Sequence, residues 1–107
     1  MNFNDILAGL GYTPNDALVD QAKRILSNAD LDDAKISHIL ALNEKLKVFS
    51  GFVAMSNSED VFKIKCESAS KEDKDGFNDL VKEWASKYRF KVKKLDGKET
   101  YYVLGWE

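Results

Sequence analysis

The sequence predicts an α+β protein: an N-terminal helical segment of about three helices, followed by a ββαββ two-layer unit with a small antiparallel-rich sheet. Three observations carry this. Apolar residues recur at the helical period as far as Leu46. From Gly51 the pattern shifts to short apolar and strictly alternating runs. Beyond Gly51 a strong helical stripe, running from Phe77 to Tyr88, is flanked on both sides by strand-like pairs.

Phe3, Ile6, Leu7 and Leu10 lie at i, i+3, i+4 and i+7, one side of a short helix that Gly11 can close. In Thr13-Pro14-Asn15-Asp16, Thr13 is the expected N-cap and Pro14 the first helical residue, where a missing N–H costs nothing. Leu18, Ala22, Ile25, Leu26 and Ala29 form the inward stripe of that helix. Asp30 or Asp32 can cap the next, whose period runs through Ile36, Ile39, Leu40, Asn43 and Leu46 until Ser50-Gly51 stops it. Residues 51–56 are apolar, 57–60 are turn-like and 61–66 alternate strictly, which reads as a hairpin. Ser70, with Asp73 three residues on, caps a helix carrying Phe77, Leu80, Val81, Trp84, Ala85 and Tyr88. Residues 89–95 alternate again, Asp96-Gly97 is a hairpin-turn pair, and 100–106 returns as the last strand. With no repeat, low-complexity tract or linker, residues 1–50 and 51–107 are expected to share one core as a single domain.

Composition bounds the function. With 44% hydrophobic and 11% aromatic residues the 107-residue chain can build a core, and one Cys excludes a disulfide scaffold. A reducing cytoplasmic setting is expected. Met1-Asn2-Phe3-Asn4-Asp5 lacks the basic start of a secretory signal, and no apolar run approaches the ~20 residues that span a bilayer, so no membrane association is expected. The net charge of -2 conceals a split. Residues 1–60 hold five Lys/Arg against nine Asp/Glu, net -4, and residues 61–107 hold eleven against nine, net +2. Seven basic residues fall between positions 82 and 98, opposed only by Glu83 and Asp96.

Catalytic chemistry finds few residues to work with. His38 is the only histidine and sits mid-helix, and Cys66 falls on the apolar side of its strand. One Cys and one His cannot make a tetrahedral zinc set. Asp30-Leu31-Asp32-Asp33 lacks the glycine and terminal glutamate of a calcium loop, with Lys35 and Ala41 in those places, so helix capping explains it. Gly9-Leu10-Gly11 lacks the rest of a phosphate loop. No catalytic residue, metal ligand or cofactor is predicted. The order strand, helix, strand, Asp-Gly turn, aromatic strand over residues 61–106 resembles the second half of the sulfur-carrier (TusA-like) family. That family works through a Cys-Pro pair that this sequence lacks, so the resemblance implies a layout and no activity.

One constellation remains. Alternation turns Phe62, Ile64, Cys66, Phe90 and Val92 toward the 70–88 helix, leaving Lys63, Lys65, Arg89, Lys91 and Lys93 on the opposite face with Tyr101 or Tyr102 beside them. Lys63, Lys65, Arg89, Lys91, Lys93 and Tyr101 are the candidate binding surface. The expected function is a small non-enzymatic protein-interaction or regulatory module that takes a protein partner or a second copy of itself. The alternative is a single-stranded nucleic-acid-binding module, cations tracking phosphates and a ring stacking on bases. Phe49, Phe52, Val53, Met55 and Trp106 are expected either to pack as the junction between the two halves or to form an exposed apolar interface.

Overall fold

A computed structural model describes residues 2–107 and holds the elements in the expected order. Three helices, α1 (Phe3–Gly9), α2 (Asp16–Asn28) and α3 (Asp33–Leu46), lead through a 3-10 turn at Lys47–Phe49 into β1 (Gly51–Met55) and β2 (Phe62–Cys66). Then come α4 (Lys71–Tyr88), β3 (Phe90–Lys94) and β4 (Thr100–Trp106). The strands form one antiparallel sheet in the order β1-β2-β4-β3. Because β4 lies between β2 and β3, those two strands run parallel to each other, joined by α4 across the helix-covered face.

Each helix begins where a short side chain satisfies a free N–H. Asn2 accepts from the N–H of Asp5, Asp32 from Lys35 and Ser70 from Asp73. At α2 the expected Thr13 cap is corrected to Asn15, whose backbone is extended and whose Oδ1 accepts from the Leu18 N–H at 2.9 Å. Asparagine is at least as good a cap as threonine, and starting at Asp16 keeps Ala22 and Ile25 pointing inward. Pro14 therefore precedes the cap instead of opening the helix. In the turn of the last hairpin Gly97 takes a positive φ (+70°), the Lys98 N–H bonds to the Leu95 carbonyl, and the strands close at Leu95 and Thr100.

A single apolar cluster joins both halves. Ile25, Ile39, Leu42 and Leu46 from the helices meet Val53, Phe62, Ile64 and Val103 from the sheet, with Phe77 and Val81 of α4, and all of these are buried. Burying each such side chain contributes about 1.5–3 kcal/mol before conformational entropy is counted. Most of the uncharged stretch packs into the junction, with Val53 and Met55 buried and Phe49 half-buried against the core, whereas Phe52, expected there too, stands half-buried on the opposite face of the sheet because strand alternation turns it away. Phe49 fixes the residue opposite it, since a Cβ on Gly76 would clash with its ring, so α4 carries a glycine there despite the helix penalty. Trp84 stacks on Phe90 at 4.2 Å and donates to the His38 carbonyl at 3.1 Å. Trp106 donates to the carbonyl of Asp30 at 2.6 Å with Lys35 over its ring.

The β1 edge is closed from within. Asn43, 4% exposed, accepts the Val53 N–H at 2.8 Å and donates to the Gly9 carbonyl at 3.3 Å. The hydroxyl of Tyr12 accepts the Met55 N–H at 3.0 Å. Asn43 thus occupies an apolar-period position of α3 because a strand edge there needs an acceptor. Among the described residues, no helix is long and apolar enough to cross a membrane.

Candidate binding surface

α3 and α4 cover one face of the sheet, and the register settles what the other carries. Lys63 of β2 pairs with Tyr102 of β4, which pairs in turn with Lys93 of β3, so these three side chains stand in one row on the outer face. Ala54 extends this row across β1, and Phe52, Lys65 and Thr100 form the next. Lys63, Lys65 and Tyr102 are half-buried by one another and their neighbours, while Lys91 and Lys93 are exposed.

Two of the expected surface residues are displaced. Tyr101 is opposite Ile64 on the helix side, buried, with its hydroxyl donating to Asn78 Oδ1 at 2.6 Å. Burial, then the nearby carboxylates of Glu99 and Asp79, pushes its phenol above the ordinary value of 10.0. The ring on the basic face is therefore Tyr102. Arg89 is exposed but lies off the strand: it is the left-handed C-cap of α4 (φ 60°), which breaks the alternation before β3 begins. Lys91 lies beside a β-bulge and reaches Glu107 at 4.0 Å.

What sets these lysines apart from the chain's other unpaired cations is that they stand together on one face. Among the described residues, Lys63, Lys65, Lys93 and Lys98 have no carboxylate within ion-pair distance. Ser58, Lys63, Lys65, Lys98 and Tyr102 line a groove of about 580 Å³ along the β2–β4 side of this face, within the ~300–1,000 Å³ usual for binding sites. Glu67 and Glu99 also line it, but Glu99 is drawn off by Asn78 at 2.8 Å and Lys94 at 3.7 Å. The Tyr102 hydroxyl and Ser58 hydroxyl lie 3.0 Å apart, and Ser58 in turn meets Ser56. Hydrogen bonds from Ser58 and then Ser56, aided by Lys98, hold the Tyr102 phenol below the ordinary value. The groove thus presents ammonium groups and hydroxyls, a donor set suited to binding anionic oxygens.

Other residues weighed from sequence have structural employment. The His38 ring stacks on Tyr88 at 3.8 Å, and among the described residues no hydroxyl or thiol hydrogen-bonds to it. Cys66 is buried and its thiol donates to the Phe49 carbonyl. Asp32 caps α3, and Asp73 accepts from Ser68 at the start of α4. Lys98 and Ser58 were not anticipated: both lie in turns, and only the pairing of β2 with β4 brings them together.

Comparison with known proteins finds no matching family model, no matching curated protein and no matching solved structure.

Proposed function

We propose that this protein is a non-catalytic interaction module whose open sheet face takes an acidic, extended segment of a partner protein. The observation that carries this is the Lys63–Tyr102–Lys93 row: two ammonium groups without ion pairs flank a ring on a face the helices leave uncovered. Unpaired like charges held side by side repel one another, and an acidic ligand relieves that repulsion as it binds. Tyr102 between two lysines also favours a second reading, a stacking platform for a single-stranded nucleic acid.

One assay separates the two readings. In fluorescence anisotropy a glutamate-rich peptide binds at low salt, weakens as salt rises, and loses about tenfold or more in affinity when Lys63→Glu and Lys93→Glu are combined. No binding at low salt, or binding indifferent to the double reversal, overturns the proposal. A single-stranded oligonucleotide that binds more tightly than the peptide, and loses affinity in Tyr102→Ala, transfers the face to nucleic acid.

A further inference from the structure

The two edges of the sheet are finished differently. On β1 the outward N–H groups of Val53 and Met55 are taken by Asn43 and Tyr12. On β3 the ladder can be phased from its ends, since the Leu95 N–H bonds to the Thr100 carbonyl and the Glu107 N–H to that of Arg89. Antiparallel alternation with the bulge included then turns the backbone of Lys91 and Lys93 inward to β4 and that of Val92 and Lys94 outward. Among the described residues nothing hydrogen-bonds to those outward groups. The same strand holds the densest stretch of basic residues, Lys91, Lys93 and Lys94, with Arg89 just before it.

We propose that an acidic, extended segment of a partner protein pairs with β3 as an added strand of the four-stranded sheet. This rests on the reading of the basic face as an acidic-segment site and places the segment's backbone at the β3 border of that face: Val92 and Lys94 hydrogen-bond the segment, while Lys91 and Lys93 meet its carboxylates. Charge selects the occupant. A second copy pairing β3 to β3 about a two-fold axis would set these lysines against their own counterparts, an arrangement that destabilises a sheet. Glutamates on the incoming strand reverse the sign of every such pair.

The test uses the full chain and a synthetic peptide alternating glutamate and valine. Val92→Pro deletes one outward donor without removing a bond to β4, and proline is tolerated at such an edge position. The expected result is at least about a tenfold loss of peptide affinity, from the missing bond and the peptide carbonyl left without a partner. Thermal melting checks that the variant folds. Should it not, N-methylation of alternate peptide residues gives the same reading on the unaltered protein: one set weakens binding and the other does not. Binding that survives both changes but is lost in the Lys63→Glu, Lys93→Glu double variant overturns the strand addition alone. Failure of the unaltered protein to bind the peptide at low salt overturns the face reading along with it. A dimer in light scattering that Val92→Pro dissociates gives the edge to a second copy and overturns the proposal.

Discussion

The two faces of the sheet treat neighbouring residues in opposite ways. On the helix side Tyr101 is buried, its hydroxyl is committed to Asn78, and burial raises its phenol. One residue on, Tyr102 faces out among Lys63, Lys93 and Lys98, and its phenol is lowered by Ser58 and Ser56. Polar groups on the inner side are consumed by the fold, whereas on the outer side Lys63, Lys65, Lys93 and Lys98 have no carboxylate within ion-pair distance among the described residues and Lys91 just reaches Glu107. Those unpaired lysines can therefore change with little effect on stability, so a test of binding that alters them is not confounded by unfolding.

The largest expected effect lies inside. Phe77→Ala removes a fully buried ring between α4 and the sheet and should cost about 3–5 kcal/mol in urea unfolding. Lys63→Ala, on the outer face of the neighbouring layer, should stay within about 0.5 kcal/mol. Equal effects would mean that the faces are wrongly assigned. Next comes Asn43→Ala, which strands the Val53 N–H and the Gly9 carbonyl and should cost about 2 kcal/mol in the same measurement. A neutral result would show that water replaces the cap and that the β1 edge is less closed than its geometry indicates.

The smallest effect is spectroscopic. In an alkaline absorbance titration Tyr102→Phe should remove a phenol step below pH 10.0, and Tyr101→Phe one above it. The linkage signs are opposite. Tyr101, raised in the folded state, contributes stability that is present below its unfolded value and lost as pH climbs through the folded one. Tyr102, lowered in the folded state, contributes stability present above its unfolded value and lost as pH falls through the folded one. If the two variants remove each other's steps, the comparison of faces is reversed.

Much of the architecture was legible because periodicity is local. The stripe of Phe77, Val81 and Trp84 and the alternation of Phe62, Ile64 and Cys66 each report one buried side without reference to the rest of the chain. The phase of β4 was not legible, because both alternating sets are aromatic or apolar: Tyr101 with Val103 in one, Tyr102 with Leu104 and Trp106 in the other. Only pairing with Ile64 and Lys63 decides between them. Arg89 misled for a conformational reason, since a left-handed helix cap interrupts the two-residue period. The identity of the free edge was hidden too, because strand order depends on where α4 carries the chain after β2.

The closure of β1 by Asn43 and Tyr12 also limits how the sheet can be extended. A sheet with two open edges can be extended from both sides, and extension by identical units has no natural end. Here one border is capped by side chains of the protein's own helical half, so the sheet is open to extension from the β3 side alone. Head-to-tail pairing of the β1 edge of one copy with the β3 edge of the next, the repeat that builds an open fibre, is thereby disfavoured.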